Sequence, residues 1–345
     1  MQALPALPSL IADVGGTNLR FALVSNDSVG PIPLKKLATA DFTNMSEAAH
    51  FVVSSTGVEP RSAIFAIAAP ARGTRIKLTN ADFVIDLEDV CERLGLQSAV
   101  FLNDFEALAV ALPALQPDDL EVLHEGIPDP EGARVVLGAG TGLGAAVVVN
   151  GGEGFVPVPG EAGHITFGAE TEDDFTFWPY IERRDGCISP EVILSGSGLS
   201  RLYRAICASE NQPPRYANQV EITKAAAAGD EQAKRTVLTF LRLLGRSAGD
   251  LAVVPWATGG IYLGGGLIEI LSDYVHESGL VEAARKKAPH EEDMKAFPIY
   301  RIIRPDPALF GMSVFLKQTQ PISIPLKHRS FTRVSGDMSN VIEDA

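Results

Sequence analysis

A handful of short stretches in this 345-residue chain carry side chains that could hold an anion or move a proton. The first reads Asp13-Val14-Gly15-Gly16-Thr17-Asn18, set between the apolar runs Leu10–Ala12 and Leu19–Val24. Two glycines let the backbone approach an anion closely, and the turn can aim its N–H groups inward. Thr17 adds a hydroxyl donor, and Asp13, at a strand end, suits a Mg2+ ion held directly or through water. The alternative is an ordinary hairpin in which Asp and Asn supply turn chemistry. Val135 to Gly144 echoes the pattern: an apolar run, then Gly138-Ala139-Gly140-Thr141-Gly142, then a second β-like run through Val149.

Other candidates stand alone or in pairs. Asn103 and Asp104 follow the apolar run Ala99–Leu102, where a strand gives way to a helix. Ligand crevices in α/β sheets lie at such carboxyl ends. A carboxylate there can act as general base toward a bound hydroxyl, although Asn and Asp are also favoured helix caps. Glu161 and His164 share a Gly-flanked turn, and Glu191 opens a helix. Read alone, they are a solvated charge, a structural histidine and an ordinary first-turn carboxylate. Gly264-Gly265-Gly266 follows the buried-strand run Ile261–Leu263, a pattern that fits a helix packed tightly on a strand.

The elements around these residues read as two similar halves. Both Gly/Thr turns are strand–turn–strand, not strand–turn–helix. Duplicated α/β halves, each with one phosphate hairpin, are the plan of actin-like and sugar-kinase ATPases, an analogy of fold. Ala63–Ala69 reads as a strand buried on both faces. Helices are expected over Ser46–Ser54, Asp86–Leu94, Ser197–Glu210, Glu221–Ala228 and Glu231–Val254, and a last strand over Ala296–Arg304. Pro31–Thr43 reads as a connector, and Phe177–Ser189 as a surface excursion.

Composition narrows the partners. Lys and Arg number 29 against 43 Asp and Glu, a net charge of −14, so a polynucleotide or an anionic membrane is not expected. Cys91, Cys187 and Cys207 are widely scattered, which fits reduced thiols in a cytoplasmic protein better than a disulfide framework or a zinc cluster. No basic leader precedes the first strand. Leu251–Ile268 carries no charge, but Pro255 and its glycines favour a helix end, a buried strand and a turn over a membrane span.

Taken in order, Leu102-Asn103-Asp104-Phe105, the two hairpins, Glu161-Ala162-Gly163-His164, Glu191 to Leu199 and Gly259 to Gly266 resemble the bacterial ATP-dependent glucokinase family, from about Leu10 to about Gln320. The resemblance implies two actin-like (ribonuclease H-like) α/β domains with an interdomain cleft. It implies residues 1–114 as a small domain rejoined by a helix over 306–320, and 115–305 as a large domain. Residues 321–345 go beyond the family pattern and are expected to be a flexible tail, disordered or loosely docked. The implied reaction is phosphorylation of the glucose 6-hydroxyl, with Asp104 as base and Asn103, Glu161, His164 and Glu191 as sugar ligands. Asp13, Gly15, Gly16, Thr17, Asn18, Gly140, Thr141, Gly142 and Gly265 fall on the nucleotide side, the last in a turn leaving room for adenosine. Mg2+ is expected at Asp13, with ATP and glucose as small-molecule partners and a homodimer as the assembly.

Rival readings fare worse. The chain has no Gly-Lys pair, so no P-loop. Gly140-x-Gly142-x-x-Ala145 matches a degenerate dinucleotide fingerprint, but Ala145–Val149 is β-like where a helix is required. A sugar-responsive repressor would need a DNA-binding segment before the first strand. An actin-like filament or chaperone ATPase has no use for the Glu161/His164/Glu191 set. A kinase for another hexose or an N-acetylhexosamine, or a non-catalytic sugar sensor, is the nearest alternative.

Overall fold

The computed structural model describes residues 5–78, 82–326 and 328–333. The chain divides into two compact units. Unit 1 runs to Ala107 and takes in Ala308–Thr319 and the described residues from Ile324 on; unit 2 is Leu108–Pro307 with Gln320–Ser323. The first division falls inside the helix Asp104–Ala111 rather than after residue 114, and the second follows Pro307.

Unit 1 is built on β1 (Ser9–Val14), β2 (Asn18–Val24), β3 (Ile32–Ala38), β4 (Ser62–Ile67) and β7 (Ser98–Asn103), with β5 (Arg75–Lys77) and β6 (Val84–Asp86) forming a separate two-stranded ribbon. β1, β2 and β3 form an antiparallel meander, while β4 and β7 extend the sheet parallel to β1. β4 is buried at every residue, as its unbroken apolar run required. β3 was legible only as a connector, because Lys35 and Lys36 interrupt its pattern; lysines are suited to an edge strand. The helices α1 (Met45–Thr56) and α2 (Leu87–Leu94) start on Asn44 and Asp86 caps and end on left-handed Gly57 and Gly95. The unit's apolar core includes Phe21, Val52, Phe65, Val90 and Phe101.

Unit 2 repeats the plan. β9 (Arg134–Ala139), β10 (Leu143–Asn150) and β11 (Phe155–Gly160) form the meander, and β12 (Gly260–Gly264) and β13 (Ile299–Ile302) continue it in parallel; β8 (Leu120–His124) closes the far edge, antiparallel to β13. β11 escapes a sequence reading because Pro157 and Pro159 interrupt it; its edge position tolerates them. The 23-residue helix Glu231–Val253 buries Phe240, Leu241, Leu244 and Ala248. Leu251–Ile268 is the end of that helix, β12 and a short helix start, and among the described residues no helix is long and apolar enough to cross a membrane. Phe177–Ser189 is not simply a surface excursion: Phe177, Ile181 and Ile188 are buried in the core of unit 2.

Of the two expectations for 321–345, disordered or loosely docked, part of the segment follows the second: β14 (Ser330–Thr332) pairs antiparallel with β7, adding a sixth strand to the unit 1 sheet. Residues 334–345 lie outside the described residues. All three cysteines are free, and burial pushes the Cys91 thiol up to about 12.

Candidate active site

In unit 1 the parallel strands end flush. Val14 pairs with Ile67, and Ile67 with Asn103. Strands ~4.8 Å apart put the Asp13 turn and the Asn103–Asp104 corner about 10 Å from each other along one sheet edge. Gly15 N–H donates to Asn18 O at 2.9 Å, so that donor closes the turn, while Gly16 and Thr17 are exposed. Thr39 braces the turn, donating from Oγ1 to Gly15 O (2.9 Å) and from its N–H to Thr17 O (3.0 Å). Asp13 pairs with Arg20 across the hairpin, 2.7 Å from Oδ2 to Nη1. Arg20 was not singled out from sequence; the hairpin register Asp13↔Arg20 is what reveals it.

Asn103 does cap the helix α3 (Asp104–Ala111). Its Oδ1 accepts from the N–H groups of Phe105 (3.0 Å) and Glu106 (3.1 Å), and Glu106 Oε2 accepts in return from Asn103 N–H at 3.2 Å. This reciprocal pair is a capping box built on Asn. The capping reading and the ligand reading are compatible, because the other end of the amide, Nδ2, donates only a long bond of 3.4 Å to Ala69 O. Asp104 is the first residue of α3, half-buried, with Oδ1 accepting from Phe105 N–H at 2.9 Å.

In unit 2 the corresponding turn is again closed on itself, Gly140 N–H donating to Gly142 O at 2.8 Å, and again it exposes a threonine, Thr141. The helix α4 (Gly196–Ser209), capped by Ser195, donates its first N–H to Gly140 O at 2.8 Å. The positive end of a 14-residue helix therefore meets this turn. Leu143 gathers the remaining residues. Its N–H donates to Glu191 Oε2 at 3.0 Å, and its carbonyl lies where a Cβ at Gly163 would fall. Gly163 sits between Glu161 and His164, which face each other at 3.7 Å and are both more than half exposed. Gly265, at φ +90°, lies over Ala139, whose carbonyl oxygen would be 2.6 Å from any Cβ placed there. Its backbone conformation and its space both demand glycine.

Unit 2 also holds an ion network around the buried Asp174 that the sequence did not disclose. Asp174 accepts from Arg242 Nη2 (2.6 Å), Arg246 Nη1 (3.2 Å) and the N–H groups of Glu170 and Thr171. Burial pushes its carboxyl up, but these bonds outweigh burial and hold it below the usual carboxylate range. Arg246 also stacks over Phe167, 4.0 Å from the ring centre. The network ties the long helix to the segment that follows the Glu161–His164 turn.

The structure thus brings Asp13, Gly15, Gly16, Thr17, Asn18, Asn103 and Asp104 to one edge of the unit 1 sheet. It brings Gly140, Thr141, Gly142, Glu161, His164, Glu191 and Gly265 together within unit 2. A family profile described as Glucokinase matches residues 10–319. The glucokinase of Sinorhizobium medicae (strain WSM419) is 39% identical over 328 residues, covering 94% of this chain and 97% of its own. The crystal structure of a glucokinase from an Antarctic psychrotroph aligns with a TM-score of 0.81 at 28% identity, over 90% of this chain and 99% of that one. A glucokinase of the ROK family from Streptomyces griseus, in complex with glucose and AMPPNP, shares the fold at a TM-score of 0.59 and 20% identity, over 90% and 99% of the two chains. The chain belongs to the glucokinase family, enzymes that phosphorylate glucose with ATP.

Proposed function

We propose that Asp104 is the general base of this phosphorylation and that the sugar is held by Asn103, Glu161, His164 and Glu191. The observation that carries the proposal is the corner at the end of β7: a carboxylate on the first residue of a helix, beside an amide whose donor end is only loosely engaged, at the carboxyl edge of a parallel sheet. Carboxylates, an amide and an imidazole suit pyranose hydroxyls, which both donate and accept. As the 6-oxygen bonds to the γ-phosphorus, Asp104 takes its proton, and the bond from that phosphorus to the β–γ bridging oxygen breaks to release ADP. The proton leaves only as the new bond forms, so positioning and charge stabilisation carry most of the catalysis.

The Thr17 and Thr141 hydroxyls and the exposed backbone around Gly16 are the donors proposed for the phosphates, with the α4 N-terminus adding favourable charge. Gly265 is proposed to leave room for the adenosine. Asp13 fits a through-water Mg2+ ligand: it is part-exposed beside the turn, and Mg2+ usually needs only one or two carboxylates besides phosphate and water. Among the described residues no three acidic, His or Cys side chains form a metal cluster. Held there by Asp13 through water, such an ion would supply positive charge to offset that of the phosphates. A homodimer in the cytoplasm completes the proposal, the assembly being open to analytical ultracentrifugation.

The test is an ADP-release assay with ATP and Mg2+ across glucose, mannose, fructose and N-acetylglucosamine, run on the wild type and on Asp104→Ala. Glucose turnover should exceed the others, and Asp104→Ala should lower kcat by about a thousandfold or more. Turnover of the variant within tenfold of wild type would remove Asp104 from the role of base.

A further inference from the structure

Glu106 is a fully buried carboxylate within the first turn of α3, beside the proposed catalytic corner. Its Oε2 accepts from Asn103 N–H, and both of its oxygens are gripped by one guanidinium: Arg329 Nη1 to Oε2 at 2.7 Å and Nη2 to Oε1 at 2.9 Å. A buried ionised carboxylate is costly without such a partner. The planar fork of arginine also fixes the direction of the carboxylate, which a lysine cannot do.

Arg329 is itself held by the C-terminal segment. Its Nε donates to Pro325 O (2.9 Å), its N–H donates to Leu326 O (3.2 Å), and its carbonyl accepts from Phe101 N–H (2.9 Å). The next three residues, Ser330–Thr332, pair with β7, the strand that ends at Asn103. The segment therefore grips the strand on one side and the helix cap on the other, with the Asn103–Asp104 corner between them. Arg329 lies beyond residues 10–319, the span matched by the family profile.

We propose that Arg329 is a positioning residue for the active site: through Glu106 and the Asn103 cap it sets the orientation of Asp104, so that residues 324–326 and 328–333 brace the catalytic corner. The inference rests on the reading of Asp104 as base and Asn103 as sugar ligand. A displacement of the base by a fraction of an ångström is enough to slow phosphoryl transfer severely.

The experiment uses the full chain and three variants: Arg329→Met, Arg329→Lys and the double variant Glu106→Gln/Arg329→Met. Each is assayed for kcat and for both KM values at a temperature well below its own melting midpoint, with folded fraction taken from circular dichroism. Arg329→Met is expected to lower kcat by about tenfold or more and to raise the glucose KM, with the ATP KM nearly unchanged, and Arg329→Lys to fall between it and wild type. In the double variant the buried charge is gone, while the amide introduced at position 106 still offers an acceptor to Asn103 N–H. Its melting midpoint should recover toward wild type, whereas its kcat should stay depressed. A wild-type kcat in Arg329→Met, or recovery of kcat together with melting midpoint in the double variant, would reduce the pair to fold stability and overturn the inference. Asp104→Asn is run alongside. Near-complete loss of its turnover beside an unimpaired Arg329→Met overturns the brace alone, while retained turnover overturns the base assignment and the brace with it.

Discussion

Glu191, proposed above as a sugar ligand, also holds the second glycine turn in place. One oxygen accepts the Leu143 N–H at 3.0 Å, and the carboxylate occupies the space where a side chain on residue 142 would begin. A Cβ at Gly142 would collide with Glu191 Oε2, whereas one at Gly140 would meet nothing within 4 Å. Gly142→Ala should therefore push Glu191 off Leu143, costing about 1–2 kcal/mol of stability for the lost bond and raising the glucose KM by about tenfold. Gly140→Ala should melt as the wild type does. Equal melting midpoints and an unchanged glucose KM in Gly142→Ala would mean that Glu191 relaxes without consequence. At this scale the sequence disclosed residues whose chemistry is local, such as Asn103, whose cap is completed by Glu106 three positions on. It was silent on Arg329, because nothing local ties that residue to a carboxylate 223 positions earlier.

Among elements, what was legible followed from pattern. Both hairpins announced themselves as Gly/Thr turns between β-like runs, and the long helix by its apolar stripe. Edge strands were missed, since edges tolerate the lysines of β3 and the prolines of β11, and β14 is only three residues long. The junction between the long helix and the Thr171-capped helix Glu172–Phe177 was also missed, because its binding force is ionic: Asp174 against Arg242 and Arg246. Asp174→Asn leaves two guanidinium groups with a weaker acceptor in a buried setting, which should cost about 3 kcal/mol at neutral pH. The native carboxyl is held below its unfolded value, so its stabilisation is present above about pH 3.9, the unfolded value, and is lost as pH falls through the folded one. Denaturant titrations should show a gap between wild type and variant that is constant from pH 7 to about pH 4 and closes below it. A gap independent of pH down to about 2 would mean the carboxylate charge is not what holds the junction.

Across the molecule, one plan is used twice for different work. In each unit a three-stranded meander is followed by two parallel strands, β3-β2-β1-β4-β7 in one and β11-β10-β9-β12-β13 in the other, and the first turn of each meander exposes a threonine. The duplication was readable from the echo of one turn in the other. Neither turn alone distinguished a phosphate site from a plain hairpin, because glycine and threonine serve both. In the proposed chemistry the base and the Asn103 amide stand on unit 1, while the other three sugar ligands, Glu161, His164 and Glu191, stand on unit 2. That division makes binding and turnover separable by mutation. Asp104→Ala should bind glucose with an affinity within about threefold of wild type while losing nearly all turnover, since only the transition state needs the proton acceptor. Glu161→Gln and His164→Ala should weaken glucose binding about tenfold or more, because each removes a charge or a ring that grips a hydroxyl, while kcat at saturating sugar falls much less. Calorimetric titration with glucose, set beside kcat for the same three proteins, reads the division directly. If Asp104→Ala lost glucose affinity as steeply as Glu161→Gln, the base would also be a principal sugar ligand, and the separation of proton transfer at Asp104 from binding by Glu161 and His164 would fall.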